Sequence, residues 1–229
     1  MKRIDDMDTF LRRAQDRLNS INESFDSLPV LKLSDFSPED TVLVNVDINN
    51  GFCKYGSMYS PLVEEIIPYA VFLNALFRQY TRVYLLDKHT PDSEEFKTFT
   101  GIHCLRDDSE SDLVPELAPF LDERSVICHK NSTNGFLCAD YTRWYDKHKN
   151  ITNFIVIGDV LDICVLQYCL IQKKYCDEQD ISCRVILVVK GTETYHYEGN
   201  DHDAELMNLF ALYNLRLNGV EIVEDIRED

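Results

Sequence analysis

The stretch FIVIGDVLDICVLQYC, residues 154–169, reads as a buried strand running into a helix. Its first four residues are apolar without alternation, as a strand covered on both faces must be. Gly158 ends the run, and a helix is expected over 162–177. The same alternation extends outward in both directions. Upstream, the strands TVLVNVD (41–47), RVYLLD (82–87) and SVICHK (125–130) are separated by a helix over 62–80 and a long loop over 88–123, and a short helix near 140–148 follows. Downstream, RVILVV (184–189), a helix over 201–217 and VEIV (220–223) complete the pattern. Apolar strands separated by helices require a parallel sheet with both faces covered. The expected fold is therefore α/β: a doubly wound, mostly parallel six-stranded sheet with helices on both faces, a Rossmann-type three-layer arrangement.

Ahead of this pattern, Met7, Phe10, Leu11, Ala14, Leu18, Ile21 and Phe25 recur at three- and four-residue steps, which makes 7–25 an amphipathic helix. The following LPVLKLSDFSPED (28–40) reads as an extended linker with turn residues. Residues 1–40 are thus expected to form an N-terminal helical arm. It would pack on the domain at 41–229 or on a neighbouring subunit of a homo-oligomer.

Charge narrows the partners. With 23 basic against 40 acidic residues, the net charge is -17. Such a field repels phosphate backbones and anionic bilayers, so neither nucleic acid nor membrane is an expected partner. The start MKRIDDMDTFLRRAQDRL has no apolar core of signal-peptide length, and no run approaches a membrane span, so a cytoplasmic location is expected. The eight cysteines follow no CxxC spacing and are read as reduced thiols in a chain of this size.

In an open α/β sheet, ligands bind beyond the carboxyl ends of the strands. The first strand ends in Asp47, the second in Asp87 with His89 beyond it, the third in His129 and Lys130, and the fourth leads through Gly158 to Cys164. Singly, each has an ordinary role: a strand-end Asp caps a turn, a Lys is solvated, and a Cys in ICVLQYC is inert core. Convergence on one edge changes that.

Cys164 at a helix start favours a thiolate nucleophile, and a Lys130 ammonium would lower its pKa further. Asp47 could take the thiol proton and return it to a leaving amine. The backbone N–H groups of Val160 and Cys164 would then form an oxyanion hole. Asp162 reads as a helix cap. Asp87 and His89, one residue apart at a strand end, can point the same way, and His103 can return from the loop. Two imidazoles and a carboxylate with open positions suit one divalent ion: zinc, manganese or iron. Glu94 and Glu95 are nearby acids that could assist it or stay solvated. His129 should point to the opposite face. Tyr141, Trp144 and Tyr145 read as a packed helix face. The run TETYHYEGNDHDAE (192–205), with His196 and His202, reads as a solvated connection in preference to a cover over the crevice.

These residues resemble a known family, the isochorismatase-like cysteine hydrolases, over about 41–225. VDINNGF carries the Asp–Phe motif as Asp47 and Phe52, HKNSTNGF the lysine motif as Lys130, and GDVLDIC the nucleophile motif as Cys164. DKH (87–89) and IHC (102–104) are similar to the metal set of the nicotinamidases within that family. The resemblance implies an acyl-forming Cys164, a cis peptide near Asp159–Val160, Phe52 lining a ring pocket, and a metal, zinc foremost, on Asp87, His89 and His103 that binds the pyridine nitrogen. It further implies an amidohydrolase that converts nicotinamide and water to nicotinate and ammonia through a thioester, in NAD salvage. Four positions depart from the family pattern: Asn49 replaces a Gln, Gly51 an acid, Lys88 sits inside DxH, and no Trp precedes His103. They bear on the shape of the ring pocket, so another small carboxamide is the alternative substrate. A non-catalytic metal-binding or interaction module is the alternative from a different class. A dinucleotide site is disfavoured, because GDVLDI lacks the required glycine spacing.

Overall fold

The apolar runs form the sheet expected of them. The structure, a computed structural model, describes residues 4–99 and 101–229, so residues 1–3 of the arm lie outside the described residues. In chain order the strands are β1 (Val30–Lys32), β2 (Thr41–Val46), β3 (Thr81–Asp87), β4 (Ser125–Lys130), β5 (Asn153–Asp159), β6 (Arg184–Glu193), β7 (Glu221–Val223) and β8 (Asp225–Arg227). Six of them make one sheet in the order β4-β3-β2-β5-β6-β7, with every pairing parallel. The order reverses direction between β2 and β5. The crevice at that switch point, where such sheets bind ligands, therefore opens between Asp47 and the GDVLDIC turn.

Alternate residues of each strand feed opposite faces. Val42, Val44 and Val46 of β2 pack with Val83, Phe154 and Val156 under α5 (Ala139–Lys147), α6 (Leu166–Glu178) and α7 (Ala204–Leu217). Leu43, with Tyr84, Ile155 and Ile157, packs on the other face under α4 (Ile67–Leu76). Tyr141 and Tyr145 are buried on α5, as its helix face suggested.

Gly158 shows why one motif position cannot vary. Its φ is +123°, and a Cβ there would meet the Val46 carbonyl oxygen at 1.9 Å. That close approach sets the nucleophile turn directly against the end of β2, where Val46 pairs with Gly158.

Some local details differ from the sequence reading. The helix expected over 62–80 is divided into α3 (Pro61–Glu64) and α4, because Pro68 lacks the N–H that an uninterrupted helix would need there and suits a helix start instead. Part of the presumed linker is a strand: β1 pairs in parallel with β8, Val30 opposite Asp225. The amphipathic helix α1 (Met7–Glu23) is present, with Asp6 accepting a hydrogen bond from the Thr9 N–H at 3.0 Å. The short helical pieces include α2 (Asn50–Cys53), just after Asp47, and a π-helical turn ahead of α6. All eight cysteines are free thiols. Among the described residues, no helix is long and apolar enough to cross a membrane.

Candidate active site

Three strand ends and one turn meet around the Lys130 ammonium. Register places Asp87 of β3 directly opposite Lys130 of β4. The Lys130 Nζ donates to Asp87 Oδ1, stands 2.7 Å from Asp47 Oδ2, and lies 3.9 Å from Cys164 Sγ. Lys130, Asp47 and Asp87 are each no more than 2% exposed. One cation thus sits among two carboxylates and a thiol, away from water.

The electrostatics follow from that burial. Burial alone would lower the Lys130 pKa, but Asp47 and Asp87 outweigh it and hold it well above the usual value. Burial raises the Asp47 pKa to about 7, with the Asp87 charge adding to the rise and Lys130 opposing it. Neither Asp47 oxygen receives a well-aligned hydrogen bond, so lone pairs remain free for a proton. Burial also raises the Cys164 pKa well above that of a free thiol, and Lys130 only partly offsets it. Burial and the neighbouring carboxylates thus oppose ionisation of the thiol, and Asp47 is placed to take its proton as it attacks. Asp159, in contact with the Cys53 thiol at 3.6 Å, likewise has its pKa pushed well above the usual carboxylate range by burial and by the Asp47 charge.

Cys164 lies in the π-helical turn Leu161–Val165, not in a regular α-helical first turn. The Val160 carbonyl accepts from the N–H groups of Ile163 (3.1 Å) and Val165 (3.2 Å), and the second bond widens the turn. The Asp159–Val160 peptide is cis, as the resemblance implies. The Val160 N–H donates to no described residue. Val160 and Cys164 line one cavity together with Phe52. Asp162 does not cap the helix. Its carboxylate accepts from the Thr194 hydroxyl at 2.6 Å and meets His202 Nε2 at 2.9 Å.

On the other side of Asp87, the expected ligands come together. One donor atom from each of Asp87, His89, Glu95 and His103 lies within 4.8 Å of all the others. His89 Nδ1 faces Asn131 Oδ1 at 3.1 Å, and His103 Nδ1 faces the Gly101 carbonyl at 2.8 Å. These acceptors assign the proton to Nδ1 in both rings and leave the Nε2 lone pairs free, as in a metal-ligating histidine. His89 Nε2 is buried without a hydrogen-bond partner, 3.3 Å from Asp87 Oδ2. Burial and the Asp87 charge raise the Glu95 pKa, a repulsion that a cation would relieve. Two imidazoles and two carboxylates fit a divalent ion. Of the two neighbouring acids, Glu95 turns inward, whereas exposed Glu94 pairs with Lys97 at 2.6 Å.

Two of the departures have physical accounts. Asn49 is buried and donates to the Asp87 and Ser111 carbonyls, at 3.3 and 2.8 Å. A Cβ at Gly51 would meet Cys104 Sγ at 2.7 Å, so packing keeps that position small. Phe99 lines the cavity, which holds ≈ 40 Å³. Phe52 stands 5.7 Å from the His103 ring, centroid to centroid. His129 is exposed and takes no part. Tyr195 also lines the cavity, so the run after β6 is not merely a solvated connection. Its signal in the sequence was its place at a strand's carboxyl end beside the switch point.

Residues 41–216 match the isochorismatase domain. The chain belongs to the isochorismatase family. The expectation of an amidohydrolase stands with that membership. Nicotinamidase 1 of Arabidopsis thaliana is 25% identical over 218 residues, 80% of this chain and 85% of its own. The pyrazinamidase/nicotinamidase of Streptococcus mutans superposes with a TM-score of 0.68 at 18% identity, covering 80% of this chain and 100% of that one. The pyrazinamidase of Pyrococcus horikoshii in complex with zinc gives 0.64 at 20%, over 81% and 99%. At these identities the two structures establish that the isochorismatase-family fold is shared.

Proposed function

We propose that this isochorismatase-family amidohydrolase cleaves nicotinamide to nicotinate and ammonia through a thioester on Cys164, as a cytoplasmic enzyme of NAD salvage. We assign the chemistry to residues 41–229 and treat 1–40 as an arm. The observation that carries the reading is the single Lys130 ammonium joining Asp47, Cys164 and Asp87, with Asp87, Glu95 and His103 of the four-donor cluster lining the same cavity as Cys164. The nicotinamidase relative adds support.

The chain's own residues supply each step. As Cys164 Sγ attacks the carboxamide carbon, its proton passes to Asp47, and negative charge gathers on the carbonyl oxygen near the Val160 and Cys164 N–H groups. Asp47 then protonates the leaving nitrogen, the C–N bond breaks, and ammonia departs. A water gives its proton to Asp47, its oxygen attacks the thioester carbon, and the departing sulfur regains that proton. Lys130 keeps its charge throughout and balances Asp47 and Asp87 as the proton comes and goes. Asp87, His89, Glu95 and His103 would hold the divalent ion, zinc foremost, which when bound supplies a Lewis-acid contact for a ring nitrogen and so orients the amide.

Two measurements check this. Ammonia release should be seen from nicotinamide and pyrazinamide, well above a non-aromatic amide, and should fall on chelation. His89→Ala should lose the metal by elemental analysis. Turnover confined to a non-aromatic amide would transfer the reading to another small carboxamide, and no turnover of any amide would favour a non-catalytic module. The second concerns pH. An acid with its pKa raised to about 7 is a base only above that value. The kcat/KM should therefore fall about tenfold per unit below roughly pH 7, whereas a flat profile down to about pH 5 would remove Asp47 as the base.

A further inference from the structure

We infer that Tyr195 is the specificity-determining wall of the amide site, fixed to the nucleophile turn by a brace of Asp162, His202 and Thr194. This deepens the amidase reading and rests on it.

Tyr195 follows β6 by two residues and is half-buried. It borders both the inner cavity, with Cys164 and Val160, and an outer cleft of ≈ 310 Å³ at the mouth. Met58 and Phe99 are the other residues common to both spaces. Tyr195 therefore stands in the partition between the approach and the thiol. The inner space of ≈ 40 Å³ holds about three waters. An aromatic amide has more heavy atoms than that, so the position of this partition decides what can enter.

The side chain is not left to find its own place. Its ring stacks on His202 with centroids 3.9 Å apart and planes 7° from parallel. His202 Nδ1 meets the Tyr195 carbonyl at 2.9 Å, and Nε2 meets Asp162 Oδ2 at 2.9 Å. Both partners are acceptors, so each ring nitrogen faces one of them. Thr194 Oγ1 donates to the other Asp162 oxygen at 2.6 Å. Asp162 is two residues before Cys164 in the same π-helical turn. The brace thus sets the ring relative to the sulfur, so that flat aromatic amides are admitted and bulkier ones are turned away.

The test uses the metal-loaded full chain with nicotinamide, a ring-methylated nicotinamide and a non-aromatic amide. Tyr195→Ala should raise KM for nicotinamide about tenfold, more than kcat falls, and should improve the relative kcat/KM of the methylated amide by a similar factor. Tyr195→Phe, which keeps the ring, should restore most of the preference. His202→Ala should shift both ratios part of the way in the direction of Tyr195→Ala, a split that general loosening of the fold would not produce. Active wild type with the same substrate ratios in Tyr195→Ala overturns the wall while leaving the amidase reading intact. An inactive wild type on every amide overturns both.

Discussion

Cys164→Ala should lower amide turnover by about 10³-fold or more and leave the bound metal in place. The thiol is the sole sulfur within reach of Lys130 among the described contacts, and it is not one of the four donors of the metal cluster. Asp47 has no other proton to take at the start of the reaction, so no neighbouring group substitutes for the lost nucleophile. The substitution removes one buried atom and leaves the charge arrangement of Lys130, Asp47 and Asp87 unchanged. Its thermal midpoint should therefore move little, and activity close to that of the wild type would remove the thioester.

Lys130→Met should have the second large effect, and here stability falls together with activity. The ammonium lies between two carboxylates that are each 1% exposed. Without it, Asp47 and Asp87 face each other unpaired, and removing one partner from such a buried set costs about 3–5 kcal/mol. Loss of Lys130 raises the pKa of both buried acids above their unfolded values, so the folded state binds more protons, and stability falls as pH rises. The urea midpoint of Lys130→Met should therefore drop markedly near neutral pH and recover partly as the pH is lowered. The same rise keeps Asp47 protonated at neutral pH, which removes the base. An unchanged midpoint at neutral pH would show that the pair is compensated by something other than Lys130.

The sheet was legible because parallel strands covered on both faces are written as unbroken apolar runs, and each run's end then points to a site residue. Asp47, Asp87, Lys130 and Cys164 were picked out as candidates that way, and the structure brings the other three to the Lys130 ammonium. What stayed hidden depends on distances that no local pattern encodes. β1 is three residues paired through backbone groups alone to the far end of the chain. Glu94 and Glu95 are adjacent and alike, and only the short helical turn that carries them decides which faces His89. Asp162 looked like a cap because its partners, Thr194 and His202, follow 32 and 40 residues later. The helix start and the lysine that favour a thiolate are visible in a sequence, whereas the depth of burial that opposes it is not.

The most direct test of the central claim is to mix the metal-loaded enzyme with nicotinamide, quench in acid within a single turnover, and map the peptide bearing Cys164 by mass spectrometry. A nicotinoyl group on Cys164 that decays as nicotinate appears is the expected result. Full release of ammonia with the Cys164 peptide unmodified at every time point would contradict it.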